Sequence, residues 1–519
     1  MNNISPRERK EVPARSTLER ERQSILDAKK IAKNTGIVGV AEIPFRAIQF
    51  VNGIIITRTL GASIYGIYTT GATILGFLNV AGAMGLRQGA MRYISLNKGA
   101  QNKTTGIVVS SLAIAFCASL ILSLLLFGSS GYLASRVFHM PDLRWVMRGL
   151  AVALPANVLI QVANACIRGF QNIKVYTAVQ KLLHPLGSLV FTVSFFLLGY
   201  RLHGLVFRDI TVGWLVVLIT ILLLSRTFPP ALRWKQASYT EARSLIKFSL
   251  PLVFAEFLYI LLMRMDVMMI AAFLSPKEVG IYGVVLKLVG FVLVPLAAID
   301  TIIYPMLAEY MGKQDTKGVK RIYRLSVHWS LMMVLPVVVI GTIYSKFLMG
   351  LFGKDFLVGY ACFGIIACGY LVRAAVGSVS AVLTMGGRSK IILYNTLGAF
   401  VLNIVLNYVF IHIWGIAGAA LATGLITALW GVVMLAESKV IFGIQLPLSE
   451  VLRFLGVGGF VFALVYAFYI SNIIHLPVFS FVIGSVGTLG LFAIGLKGMN
   501  LVTAEDRIVF NTIVARFRR

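Results

Sequence analysis

The sequence predicts an all-α integral membrane protein: about 14 transmembrane helices, arranged as two six-helix parallel repeats around a central cavity, with two extra helices at the C-terminus. Three observations predict it. Of the 519 residues, 58% are hydrophobic and only 13% charged, with mean hydropathy +0.85, a balance that ordinary soluble domains do not show. Fourteen apolar runs approach the ~20 residues needed to cross ~30 Å of hydrocarbon: roughly 36–57, 64–86, 104–127, 149–168, 178–199, 204–225, 247–273, 279–304, 326–350, 358–384, 389–412, 413–436, 452–474 and 477–497. Finally, two stretches match without gaps at an offset of 214 residues. Residues 60–77 read LGASIYGIYTTGATILGF and residues 274–291 read LSPKEVGIYGVVLKLVGF, with the Gly-Ile-Tyr triplets at 66–68 and 280–282 in register. Upstream, Ala41-Glu42 falls on Ala255-Glu256 at the same offset. Duplicated membrane units of this size are how many transporters are built, with the path between the copies.

The elements follow in order. Residues 1–35 form a basic cytoplasmic tail. Leu18, Ile25, Leu26 and Ile31 among its charges suit a helix lying along the membrane surface, and a disordered positive anchor is the other reading. No apolar run stands in this tail, so no cleavable signal peptide is expected. Residues 36–225 make the first six-helix bundle, and 226–246, with the Pro229-Pro230 break, the cytoplasmic linker. Residues 247–436 make the second bundle. Each half crosses an even number of times, so the copies share one orientation about an axis along the membrane normal. Residues 437–497 supply two accessory crossings and 498–519 a cytoplasmic tail.

Charge sets the orientation. Assigning alternate loops to the cytoplasm, beginning with the N-terminal tail, puts 35 Lys and Arg inside, 8 outside and 5 within spans. That asymmetry satisfies the positive-inside rule, with both termini cytoplasmic. The net charge of +28 is then topology, with attraction to anionic membrane lipid as a by-product, and calls for no nucleic acid. The cysteines Cys117, Cys166, Cys362 and Cys368 are dispersed through the spans and read as packing residues rather than metal ligands.

Several motifs fit this frame. Ala32-Lys33-Asn34-Thr35-Gly36, then Thr57-Arg58-Thr59-Leu60-Gly61 and Tyr65-Gly66-Ile67-Tyr68, form an opening helix pair, followed by Gly85-Leu86 and Met91-Arg92-Tyr93. In the second half, Gly386-Gly387-Arg388-Ser389-Lys390 leads into Asn403-Ile404-Val405-Leu406-Asn407-Tyr408 and then Gly415-Ile416-Ala417-Gly418-Ala419. Near the end stands Thr503-Ala504-Glu505-Asp506-Arg507. Across residues 30–510 the chain resembles the Wzx-type oligosaccharide flippases of polysaccharide biosynthesis, in the superfamily that also holds MATE drug exporters and the lipid II flippase. The resemblance implies a polyprenyl-(di)phosphate-linked oligosaccharide as cargo, moved from the cytoplasmic to the outer leaflet by alternating access in the cell membrane. It implies no cofactor and no enzymatic activity, a monomer working alongside glycan-assembly proteins, and coupling to H⁺ or Na⁺. Lipid II flippases carry an arginine cluster in their early helices. Here only Arg46 lies deep in that region, with Arg58 nearer the outer end, which disfavours a peptidoglycan precursor.

A charge at a helix centre costs about 2.5–3.5 kcal/mol on insertion scales, so each intramembrane ion is a functional candidate. Arg46, Arg264, Lys287 and Arg373 are the candidates for binding the anionic headgroup. Glu42 and Arg46 share a helix face four apart, so they also suit a mutual ion pair. Glu256 and Arg264 lie two turns apart along one wall. Lys287 and Arg373 have no nearby acid on their own helices and need one across helices, water, or substrate phosphate. Arg208 and Asp209, near the start of the sixth span, are expected to snorkel to the surface. Glu42, Glu256 and Asp266 are candidates for ion coupling or gating, and Pro44 and Pro251 for hinges, since a proline removes a helix hydrogen bond and permits a bend.

Other classes fit less well. A cation-coupled MATE-type exporter of small amphipathic compounds would want an acid-lined pocket without deep cations. A membrane glycosyltransferase would want a large outer loop, and the longest, 128–148, holds one acid, Asp142. No nucleotide-binding Gly-rich motif or nucleophile triad is evident.

Overall fold

The computed structural model describes residues 14–97, 99–229, 237–471, 473–503 and 506, with side chains before Glu42, and that of Ile43, outside the description. The side chains of the basic tail, most of the linker after Pro229 and the C-terminal tail beyond Asp506 therefore lie outside it. Among the described residues the regular structure is entirely helical. In hydrocarbon every backbone N–H and C=O must find its partner inside the segment, which selects helices for apolar runs of this length.

The first half begins with α1 (Ala14–Ala83), which is broken at Gly61 (φ 75°) and so carries two crossings joined by a tight outer turn. The second crossing continues through α2 (Leu86–Leu96). Next come α3 (Gln101–Tyr132) and α4 (Leu143–Gly169). The fifth crossing is α5 (Ile173–Thr177), a π-turn over 178–183 and α6 (His184–Leu197), the distortion standing immediately before Pro185, which cannot donate into the preceding turn. The sixth is α7 (Leu202–Thr227).

The second half repeats the plan with α8 (Ala242–Phe273), α9 (Pro276–Gly312) and α10 (Thr316–Ile343). A capping box starts α9, Ser275 and Glu278 satisfying each other's backbone N–H. The outer connection holds α11 (Ser345–Phe352). The tenth crossing is α12 (Tyr360–Val376), which breaks at Gly377 before α13 (Val379–Met385). α14 (Ser389–Phe442) turns at Gly415 (φ 59°) and carries two crossings, as α1 does. Two final helices, α15 (Leu448–Ser471) and α16 (Pro477–Gly498), follow. Eleven described helices are long and apolar enough to cross a membrane. Two of these cross twice, and the segment 173–197 adds another, which gives the fourteen crossings that hydropathy predicts. The chain is a multi-pass membrane protein.

The helix that carries the ninth apolar run starts ahead of it: α10 begins at Thr316, capped by the Asp315 side chain accepting from Gly318 N–H at 2.9 Å. Its first turns are charged and leave the membrane while staying helical.

The duplication is visible in the packing. A Cβ on Gly66 would overlap the Pro276 carbonyl, and a Cβ on Gly280 would overlap the Ala62 carbonyl. Both pairs, Gly66 with Gly280 and Ala62 with Pro276, are 214 apart. The outer ends of α1's second crossing and α9 thus meet across a local two-fold, backbone against backbone, at small residues.

Candidate functional site

The site is the seam between the two bundles and the polar groups behind it. Toward the Gly61 end of the seam, Lys287 of α9 places its ammonium 4.8 Å above the Tyr65 ring of α1. Arg58 donates to the Leu351 carbonyl at 2.8 Å. Phe50 packs edge-on against Phe291 and Phe352 at 5.7 and 5.3 Å. Toward the opposite end, Glu256 of α8 accepts from Arg87 (2.6 Å) and Gln88 (2.9 Å) of α2, and Arg87 also donates to Gln161 at 3.2 Å. Gly85 and Gly89 let α8 approach at Ser249.

The duplicated glutamates are therefore used differently. Glu256 ties one bundle to the other. Glu42 accepts from Arg46 (2.9 Å), as the four-residue spacing predicts, and also from Lys181 (2.6 Å), all within the first bundle. Arg264 lies two turns beyond Glu256 on α8, exposed, and makes no ion pair among the described residues. Pro44 and Pro251 both sit inside their helices, α1 and α8.

Behind the seam, each bundle holds a tyrosine at the equivalent position, bonded to an acid of a neighbouring helix. Tyr68 donates to Asp209 at 2.7 Å. Tyr282 donates to Asp266 at 2.7 Å and lies 3.3 Å from Thr423. Tyr68 and Tyr282 are 214 apart, and so are Asp209 and Thr423, and Asn52 and Asp266. The copies place their acids on different helices of one design. In the first bundle Arg208 neutralises the acid, with its guanidinium on Asp209 (2.6 Å), Tyr68 (2.6 Å) and Thr192 (3.3 Å). At 6% exposure Arg208 is buried. The expected snorkelling does not occur, because Asp209 and Tyr68 supply enough partners to hold the charge inside. In the second bundle Asp266, 2% exposed, has only neutral partners: Tyr282, the Thr423 hydroxyl (3.1 Å) and the Val267 N–H (2.8 Å).

Arg373 of α12 lines a cavity of about 470 Å³ inside the second bundle, together with Asp300 and Tyr304 of α9, Tyr259 of α8 and Trp430 of α14. Its guanidinium lies 6.0 Å from the Trp430 ring centre. Asp300 accepts from the Ser378 hydroxyl at 2.6 Å. Of the cations expected at the headgroup site, Arg46 approaches Gly290 of the second bundle, Lys287 stands against an aromatic ring, Arg264 is exposed on α8, and Arg373 lines the pocket of the second bundle.

Sequence reasoning passed over Arg87, Lys181, Tyr68 and Tyr282. The two cations fall among the 35 that the alternating-loop count assigns to the cytoplasmic side. The tyrosines carried a usable signal, since they are the last residues of the duplicated Gly-Ile-Tyr triplets. Among the described residues no group of three or more His, Cys, Asp or Glu is arranged to hold a metal ion.

Comparison with known proteins agrees with this architecture. A MATE family profile matches residues 251–409. The chain is 23% identical over 76% of its length, and 80% of the relative's, to a protein named as a low-salt glycan biosynthesis flippase, Agl15, of Haloferax volcanii. It is 20% identical over 71% of its length, and 88% of the relative's, to one named as an O-antigen transporter of Shigella flexneri. In fold it resembles the lipid II flippase MurJ in an inward closed conformation, with TM-score 0.71, 15% identity and coverage of 88% of this chain and 97% of that one. It also resembles an inward-facing MATE multidrug transporter, with TM-score 0.69, 14% identity and coverage of 78% and 98%. The profile of the polysaccharide biosynthesis protein family matches residues 31–311, more than half of the 519 residues, and the chain belongs to that family.

Proposed function

We propose that this chain is a flippase that carries a polyprenyl-(di)phosphate-linked oligosaccharide from the cytoplasmic to the outer leaflet of the cell membrane by alternating access, as a monomer with both termini cytoplasmic. The observation that carries the reading is the construction of the seam. Two like-oriented bundles meet through a close glycine crossing at the outer end and through hydrogen bonds of Arg87 and Gln88 to Glu256 at the inner end. Contacts so different in kind can be broken one at a time, as a path exposed first to one side and then to the other requires. Family membership and the names of the two relatives support the cargo class.

In this cycle Arg46 and Arg264 meet the carrier phosphate, Lys287 joins them when the outer seam parts, and Arg373 acts from the second bundle. Pro44 and Pro251 let the leading helices bend. Glu42 and Glu256 gate the inner side. Asp266, buried among neutral hydrogen-bond partners with the charge of Arg264 acting on it from two residues away, takes up H⁺ or Na⁺ and couples the cycle to an ion gradient, since a fully buried carboxylate needs compensation. In cells whose own copy is deleted, the chain restores surface glycan, while protein with Arg264, Lys287 and Arg373 all replaced by alanine reaches the membrane and does not. Normal glycan without the chain refutes the function, and normal glycan with the triple variant refutes the headgroup assignment.

A further inference from the structure

The chamber inside the second bundle has a chemistry of its own. Its volume, about 470 Å³, falls within the about 300–1,000 Å³ of small-molecule sites. Three aromatic residues, Tyr259, Tyr304 and Trp430, share its walls with the single cation Arg373, the single acid Asp300 and hydroxyls that include Ser380 and Thr384. The lining charges cancel. A multiply charged diphosphate would meet one guanidinium and an opposing carboxylate, whereas one carboxylate pairs with one guanidinium in the two-pronged geometry that arginine favours. The remaining lining suits a polyhydroxylated ring, with Asp300 and the hydroxyls as hydrogen-bond partners and the aromatic faces covering its C–H surface.

The groups are preset. Asp300 is fixed by Ser378 at 2.6 Å, and the Ser378 N–H donates to Ser326 at 3.1 Å where the tenth crossing breaks. Among the described residues the Arg373 side chain makes no ion pair and no hydrogen bond, and Trp430 is its one ring neighbour. A small annex of about 30 Å³ extends past Arg373 and Asp300 to Ser330, room for a water or two at about 10–15 Å³ each. At the 214-residue offset, Arg373 and Asp300 correspond to Leu159 and Leu86 in the first bundle. The fold therefore does not require ions at these positions.

We propose that this chamber binds an acidic sugar unit, with the sugar carboxylate on Arg373 and the sugar hydroxyls on Asp300 and the neighbouring serine and threonine side chains. The assignment rests on the flippase reading, since the sugar belongs to the glycan of the cargo, and it makes the chamber a selector for glycans that contain such a unit.

The test is equilibrium titration of the purified full-length chain in micelles, followed by tryptophan fluorescence, with three probes: glucuronate, glucose and geranyl diphosphate. Glucuronate is expected to saturate the signal and glucose not to. Arg373→Ala weakens glucuronate by at least about tenfold, the loss expected when a charge-assisted hydrogen bond is removed, and Arg373→Lys falls between, because it keeps the charge and loses the fork. Asp300→Asn weakens glucuronate less than Arg373→Ala does and guards against a misfolded arginine variant. No saturable glucuronate signal, or glucuronate binding indifferent to both Arg373 variants, overturns the proposal. Geranyl diphosphate bound through Arg373 in place of glucuronate overturns it too, and assigns the anion to the carrier. Transport that survives without glucuronate binding keeps the function and loses the subsite. Glucuronate binding through Arg373 in a chain that moves no glycan does the reverse.

Discussion

Replacing Gly66 by alanine adds one methyl group where the two bundles touch backbone to backbone. The new carbon would overlap the Pro276 carbonyl oxygen, lie 2.7 Å from its carbon and 2.9 Å from Gly280 N. Comfortable carbon contacts need about 3.5–4.0 Å, so the crossing has to part by on the order of 1 Å. None of those atoms belongs to a flexible side chain that could swing aside. Overpacking of this kind costs about 1–3 kcal/mol, and the cost falls on the state with the outer seam closed. If the closed and open states exchange, the ratio shifts toward open by roughly fivefold to 150-fold. Thr69, one turn deeper on α1 and facing Gly283, reports the change once it is made cysteine in a background lacking the four native cysteines. Its labelling by an impermeant maleimide added outside should accelerate in Gly66→Ala. Gly280→Ala, which overlaps the Ala62 carbonyl, should do the same, as the local two-fold demands. Unchanged labelling in well-folded protein, or acceleration in only one of the pair, refutes the reasoning that this crossing is the outer gate.

Three further outcomes follow from the polar contacts. Glu256→Gln removes the negative charge that pairs with Arg87, whose side chain is 37% exposed, so the loss is about 1 kcal/mol or less. It should raise thiol labelling at the inner seam, and the exchange Arg87→Glu with Glu256→Arg should restore protection. Asp266→Asn should abolish the acceleration of glycan flipping by an imposed Na⁺ or proton gradient in vesicles, whereas Tyr282→Phe, losing one hydrogen bond of about 1 kcal/mol, should only weaken it. At the C-terminal end, burial pushes the Asp506 carboxyl up. The Thr503 N–H, the Trp329 indole and the Thr503 hydroxyl, with help from His328, outweigh burial and hold it below its ordinary 3.8. A depressed value contributes stability above the ordinary carboxylate range and loses it as pH falls through the folded-state value. The protection factor of the Thr503 amide, its exchange corrected for the intrinsic rate at each pH, should therefore fall in acid, and Asp506→Asn should show the lower protection already at neutral pH.

How far the fold could be read depended on where physics repeats itself along the chain. Hydrocarbon imposes one rule on every crossing, so fourteen apolar runs became fourteen helical passages, and the Gly-Ile-Tyr match located the two-fold contact of Gly66 with Gly280. Side-chain partners across helices obey no such rule. The spacing of Glu42 and Arg46 predicts their 2.9 Å pair, but Lys181 joins it from 139 residues away. Arg87 looked like a loop cation because hydropathy ends near it, although α2 continues and aims it at Glu256. Arg208 looked superficial by its position along the span. Only the packing of α1 against α7 brings Tyr68 to it.

Duplication explains the scaffold, and departures from duplication explain the work. Two equal bundles would present the same groups on both sides of the seam. In this chain the first copy meets Asp209 with its own Arg208, a cation fixed in the fold, while the second leaves Asp266 among neutral partners. Likewise the second copy carries Arg373 and Asp300 in its chamber where the first has Leu159 and Leu86. Each departure leaves a polar group that the proposed ligands would complete: an ion at Asp266, an anion at Arg373. A burial cost of about 2.5–3.5 kcal/mol per charge is hard to keep at positions where the sister copy folds with leucine, unless the ligand that offsets it is part of the function. At these positions the first bundle closes its charge with Arg208 or carries leucine, and the second presents charged groups that a ligand can meet.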